Sequence, residues 1–409
     1  MGQLVLNGIV GLLLAGSFLF PYIGGAVTAY VLIGLCLLLV IWALLRAQRV
    51  QSDPGAWMFL LAWVLLALAY ALTNRPGTLD MLSAFNFVLF ALFPLLHAAL
   101  QRFAEPGNLA KVAVLSLAGT IVAFLVALAQ VTIGHFDRAE GFASNPIKAG
   151  TVALFLGFFS LAGFFAPSLR RWRYGFLIGP VLGIAVVLMA GSRGPLLALP
   201  ALVLVALILL PIRRAVSIGA VAAVILVAGG AYLVKPALFG RIQTLPAMLS
   251  DLVTGHPITE ATDGSGNVRY AILVGSIAAF ERSPWLGYGW YMKAPVVARY
   301  TPINVGFGDP KTAHLHSDIL NFGVSAGIVG LVAYLLAIFA PIASAATSPR
   351  DSQFAGRLFL SLGLSLGYLS CGVVNLLFGF EFLTTLYVCW AMLFLGYCRD
   401  RSVAEGGPA

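Results

Sequence analysis

Charge is scarce in this sequence. Of its 409 residues only 10% are Asp, Glu, Lys or Arg, where soluble domains carry roughly 25%. That shortage argues against a water-soluble globular fold. The 60% hydrophobic composition and mean hydropathy of +0.97 point to lipid as the solvent instead. Cysteine is just as sparse: Cys36, Cys371, Cys389 and Cys398 all fall in apolar runs, and no C-x-x-C pair occurs. Neither a disulfide framework nor a zinc site is indicated. The apolar runs also lack ionisable groups near their centres. Ion-coupled transporters and proton pumps need such groups at depth, so those classes are disfavoured. No internal repeat or low-complexity tract is evident. The first apolar run has no basic leader and no convincing A-x-A site, so it reads as a retained span. The start "MGQLVL" lacks the Ser or Thr that myristoylation needs at its sixth position.

What the sequence has in abundance is apolar runs of membrane-crossing length. Hydropathy and breakers predict about twelve spans, near 3–20, 25–45, 56–73, 81–102, 111–133, 147–165, 175–191, 195–212, 215–235, 316–340, 358–378 and 382–398. Pro21, Pro54, Pro76, Pro106, Pro167, Pro236 and Pro341 are expected in the gaps, where proline costs little. One alternate set of connections holds Arg46, Arg49, Arg102, Lys111, Arg170, Arg171, Arg173, Arg213, Arg214, Arg350, Arg357, Arg399 and Arg401. The opposite short connections hold Arg75, Arg138, Lys148 and Arg193. This bias places the first set and both termini in the cytoplasm. The net charge of +9 is thus read as topology, with no nucleic-acid partner implied.

One connection breaks the pattern of short loops. Residues 236–315 form a long extracytoplasmic excursion between transmembrane segments 1–235 and 316–398, and 399–409 form a cytoplasmic tail. Within the excursion, "PALFGRIQTLPAMLSDLVTG" and "NVRYAILVGSIAAFERSP" space their apolar residues as helices do, and are expected to lie on the membrane surface.

Polar residues of interest gather at the extracytoplasmic ends of spans. In "MAGSRGPLLALP", Gly191, Gly194 and Pro195 allow a sharp turn that presents Arg193. Its guanidinium suits either a phosphate or lipid headgroups. Arg269 sits near the start of a helix behind a Gly-rich loop, where free amides favour anions. "PWLGYG", from Pro284 to Gly289, reads as a turn with exposed backbone. In "KTAHLHSDILNFG", His316 stands at the mouth of a span, where an imidazole can take a proton from an alcohol. A helix cap at Ser317 or Asp318 explains the same cluster equally well. A metal site of His314 and His316 with Asp309 or Asp318 is a weaker option, because no spacing sets a third ligand. "HFDRAEGFASNPIKAG" brings Arg138, Asn145 and Lys148 into one turn.

Together these motifs resemble the bacterial O-antigen ligase and polymerase superfamily. The ligase pattern is His, then Asn, Ser or Gln, nine residues, Gly, two residues, then Gly, Thr or Tyr. His316-Ser317, nine residues, Gly327, Ile328-Val329 and Gly330 are similar to it without a gap. "GSRG" at 191–194, the Arg269 segment ending in "PWLGYG", and Arg138 to Pro146 look like further signatures. The resemblance implies an all-α polytopic membrane protein of about 12 transmembrane helices, GT-C-like, with a large periplasmic loop carrying amphipathic helices. It implies a metal-independent glycosyltransferase of the bacterial inner membrane, its site facing the periplasm. The donor would be a glycan on undecaprenyl diphosphate and the acceptor lipid A–core oligosaccharide, with no cofactor and no bound metal. His316 would be the general base, Arg193 and Arg269 would bind the diphosphate, and Arg138 would assist. The resemblance leaves an O-antigen polymerase as the nearest rival, with a second lipid-linked glycan as acceptor. Protein O-oligosaccharyltransferases often add a C-terminal extracytoplasmic region, where this sequence reads as a short tail. A lipid-linked sugar flippase would line a central path with polar groups, which these spans lack.

Overall fold

The computed structural model describes residues 3–46, 53–73, 78–142, 145–212, 219, 264–307 and 313–400. Among them there is no strand, and thirteen helical segments account for the architecture used below. In chain order they are α1 (Gln3–Leu19), α2 (Pro21–Leu45), α3 (Pro54–Leu72), α4 (Asp80–Phe103), α5 (Asn108–Thr132), α6 (Pro146–Phe165) and α7 (Arg173–Met189). There follow α8 (Arg193–Leu209), α9 (Gly264–Arg282), α10 (Lys293–Ala298), α11 (Asp318–Thr347), α12 (Phe354–Gly372) and α13 (Glu381–Tyr397). Seven are long and apolar enough to cross a bilayer: α2, α3, α4, α5, α6, α11 and α12. α1, α7, α8 and α13 are apolar but shorter. The chain is thus an all-α polytopic membrane protein. Apart from Gly219, the expected span at 215–235 lies outside the described residues, as does the expected surface helix at 236–255.

Local chemistry explains where the helices start. Asp53 accepts from Ala56 N at 3.1 Å and is followed by Pro54, so cap and N1 proline together open α3. Asn145 accepts from Ile147 N at 2.8 Å ahead of Pro146 and opens α6 in the same way. Ser317 accepts from Leu320 N at 3.4 Å and opens α11. The cap reading of the opening cluster therefore holds for Ser317.

Pro341, expected in a gap, lies instead inside α11, which runs on to Thr347. A helix-interior proline cannot donate to the carbonyl four residues back. Here that carbonyl, Ala337 O, has the Tyr387 hydroxyl 3.1 Å away, so α13 supplies the missing donor.

At thirty residues, α11 would be about 45 Å long if continuous, more than a hydrocarbon core needs. It is not continuous. Gly327 takes φ 63° and ψ −149°, which splits off a short leading half-helix from Asp318 to Ala326. A glycine is required at this position: the conformation is left-handed, and a Cβ would collide with the Trp285 backbone.

The freed backbone groups around the break are met by "PWLGYG". Tyr288 N donates to Val324 O at 3.0 Å and Gly289 N to Ser325 O at 2.8 Å. In return Ile328 N donates to Pro284 O at 2.7 Å. Gly287 and Gly289, with φ 63° and 90°, allow this close approach. The segment that reads as an exposed turn is a plug seated in a broken helix. Gly327, the glycine of the His-motif spacing, thus makes room for a loop.

The core divides accordingly. A large aromatic-rich cluster fills the bundle, including Phe59, Phe93, Tyr368, Tyr387 and Trp390. A small second cluster joins α9 and α10 to the leading half of α11, through Ala271, Ile272, Ala279, Ala294, Val297, Leu315 and Val324. The starts of α4, α6, α8, α11 and α13 meet at this end, together with the ends of α3, α7 and α12.

Candidate functional site

His316 occupies the last position before the α11 cap, and its backbone is strained. Its φ is 52°; among the described residues only His135 shares a positive φ without being glycine. Such a conformation costs on the order of 1 kcal/mol and persists only where its surroundings enforce it. Here they do. Ser317 Oγ donates to Gly372 O at 3.3 Å, and Asp318 N donates to Asn375 O at 3.1 Å. Asp318 Oδ1 accepts from Leu377 N at 2.8 Å and Phe378 N at 3.1 Å. The segment from Gly372 to Phe378, between α12 and α13, thus grips the helix start directly behind the histidine.

The same segment reaches the Arg193 turn. Gly194 lies with its Cα against the Asn375 side-chain amide, and any Cβ there would overlap it. Asn375 therefore touches the "GSRG" turn with its side chain and the His316 segment with its carbonyl. Residues far apart in sequence are thus brought into contact through one asparagine.

Arg138 acts on the other flank of that turn. Its Nε donates to Ala190 O at 2.9 Å, and its Nη2 lies 3.4 Å from Gly191 O and 3.3 Å from Ser192 Oγ. Ala139 N donates to Met189 O at 3.0 Å, so the loop is zipped to the end of α7. Gly191, at φ 57°, makes the reversal possible. Arg138 is expected from the sequence to help hold the diphosphate; these bonds hold the turn that presents Arg193.

Arg269 lies in the second turn of α9 and is half-buried, as are Arg193 and His316. Its charge bears on His316. Burial, then His314 and Arg269, push the His316 imidazole down to about 4. His316 is therefore neutral at pH 7, with a ring nitrogen able to accept a proton. The His314 ring stands edge-on to the His316 ring with centroids 4.5 Å apart, and packs on Phe380 at 5.2 Å. His314 has no place in the ligase pattern, and here it is the neighbour that orients His316.

Among the described residues no three His, Cys, Asp or Glu side chains come together as metal ligands. Asp309 lies outside them, and the Asp318 carboxylate is turned toward Leu377 and Phe378.

The site thus joins a neutral histidine, two half-buried arginines and a third arginine bracing the turn. Sequence reasoning missed Asn375 and Phe380, whose roles exist only through contacts across the chain. Their one local signal was the run "GVVNLLFGFE", a polar and glycine-bearing break between two apolar spans.

Residues 178–335 match the model of a family described as O-antigen ligase, a stretch running from α7 into α11 that contains Arg193, Arg269 and His316. No curated protein matches the chain. This segment unites the two arginines with the His316–Gly327 spacing, and its match supports a place for the chain in the O-antigen ligase/polymerase superfamily.

Proposed function

We propose that this protein is an O-antigen ligase. It transfers a glycan from undecaprenyl diphosphate to a hydroxyl of lipid A–core oligosaccharide, on the periplasmic side of the inner membrane. The observation that carries this reading is the placement of His316. It is neutral, strained, in electrostatic reach of Arg269, and tied through Asn375 to the turn of Arg193.

Breaking the bond from the anomeric carbon to the diphosphate leaves negative charge on the departing oxygens. Arg193 and Arg269 stabilise that charge, each contact worth roughly 1.5–3 kcal/mol, without a metal ion. His316 takes the proton of the acceptor hydroxyl as its oxygen bonds to the anomeric carbon from the opposite face, which inverts that centre. A base near 4 is weak at neutral pH. The bound diphosphate corrects this, because its negative charge offsets the arginine field and raises the imidazole. The base therefore strengthens once the donor is in place. The fit of the His motif to the ligase pattern favours lipid A–core over a second lipid-linked glycan as acceptor.

The test is an acceptor swap. Purified protein receives undecaprenyl-diphosphate glycan with chelator present, and either lipid A–core or a second lipid-linked glycan. Glycosylated lipid A–core is expected, and His316→Ala and Arg269→Ala should each cut its rate of formation sharply. Product only with the second lipid-linked glycan would make the protein a polymerase. Loss of product with chelator would overturn the metal-free reaction.

A further inference from the structure

Lys148 belongs to neither motif group, yet it stands between them. It is half-buried in the first turn of α6, with its Nζ 4.2 Å over the face of Phe380. Phe380 packs in turn on His314, and His314 on His316. On its other side, α6 meets the Arg193 turn, where a Cβ on Gly150 would touch Pro195 at 3.6 Å. Among the described residues no acceptor comes within hydrogen-bond reach of the ammonium. Glu381 acts on it electrostatically without closing to ion-pair distance. A half-buried ammonium with an aromatic face beneath it and no acceptor has lost part of its hydration without replacement. A structural lysine would be paired, as Lys293 is by Trp290 O at 2.7 Å.

We propose that Lys148 is a further substrate-binding residue that donates to a phosphate oxygen of the lipid-diphosphate donor. The inference rests on the proposed function and extends its anion site by a third cation. Arginine offers a planar fork, whereas lysine offers a compact charge whose three donors follow a phosphate as it departs. Phe380 serves as the seat that keeps the ammonium raised toward the ligand and away from Glu381.

Binding of undecaprenyl diphosphate to the full chain in detergent tests this, with Arg269→Ala measured in parallel. Lys148→Ala should weaken binding about tenfold, as loss of one charge-assisted contact does, and Lys148→Arg should regain most of it. In the transfer assay the donor KM should rise while the acceptor KM holds. The ligand-free melting temperature of Lys148→Ala should equal that of the unaltered protein.

Full affinity in Lys148→Ala, with Arg269→Ala impaired, would overturn the role of Lys148 alone. Full affinity in both would overturn the diphosphate site itself. A melting temperature lowered in Lys148→Ala and in Lys148→Gln would make the residue structural and also overturn the proposal. Competition by phosphatidylglycerol at the same concentration as the diphosphate lipid would reduce the contact to a general headgroup interaction, and would overturn the proposal as well.

Discussion

Arg357 and Lys148 sit at opposite ends of the bundle and are treated in opposite ways. Arg357, in the first turn of α12, has no exposed surface, and every edge of its guanidinium is bonded. It donates to both Asp351 carboxylate oxygens at 3.0 Å, to Ser348 Oγ at 3.0 Å, to Cys398 O at 2.7 Å and to Pro349 O at 2.6 Å. Nearby, Asp53 Oδ2 accepts from Ser344 Oγ at 2.7 Å and lies 3.5 Å from Arg399. Burial and the neighbouring Arg357 push the Arg399 guanidinium down to about 10, which leaves it charged at neutral pH. That end is a closed network which staples α3, α4, α11, α12 and the start of the tail together. At the site end, Lys148 has an aromatic face and no acceptor, and Asp318 Oδ2, Tyr334 Oη and Asn375 Nδ2 are buried without a partner. The Arg357 network has its charges answered within the chain; the site end holds several polar groups in wait. Under the proposed function, stability belongs to the first and chemistry to the second.

This contrast can be broken by substitution. The largest expected effect is on transfer. His316→Ala should lower kcat by at least about 10²-fold, the usual worth of a general base, while the purified protein melts at or above the temperature of the unaltered chain. An equal loss of stability and of rate would merge the two ends into one.

Arg357→Met comes next, and its effect falls on folding. Leaving Asp351 buried without its partner should cost about 3–5 kcal/mol, read as a lower melting temperature in detergent. The fraction that remains folded should transfer glycan at an unaltered kcat. A full-stability Arg357→Met would show that the network contributes nothing to folding.

Gly327→Ala should have the smallest effect and should touch both properties. The left-handed conformation costs about 1–3 kcal/mol for alanine, and the added methyl pushes on the Trp285 backbone. Because the displaced "PWLGYG" plug closes the segment that carries Arg269, donor KM should rise with it. A variant with lowered stability and unaltered KM would separate the plug from the site.

The sequence read without the structure goes far on local matters and stops at long-range ones. The caps of α3 and α6 are visible as Asp-Pro and Asn-Pro pairs, and Ser317 stands where a cap belongs. The spacing from His316 through Gly327 to Gly330 is visible as well, and so is the sharp turn at Gly191. None of these reveals what the glycines are for. Gly327 breaks a helix for a loop some forty residues upstream, and Gly194 accommodates an amide from the segment after α12. Arg138 resembles a phosphate ligand through its place in the stretch that runs on to Asn145-Pro146, and nothing local reveals that its Nε and Nη2 bond the Arg193 turn. Arg357 and Arg399 count as loop charges for topology, whereas both are neutralised by buried carboxylates. Side-chain partners hundreds of residues away leave no periodicity behind.

The pH dependence of transfer tests the central claim most directly. For a base, burial and cationic neighbours favour the neutral form, so protonation sets in only as pH falls toward about 4 in the free protein. The acid limb of kcat/KM for the donor reports that state, and the limb of kcat reports the donor-bound state. The account predicts a kcat/KM limb near pH 4, a kcat limb displaced to higher pH by the bound diphosphate, and the disappearance of both in His316→Ala. Limbs that coincide and persist in His316→Ala would contradict it.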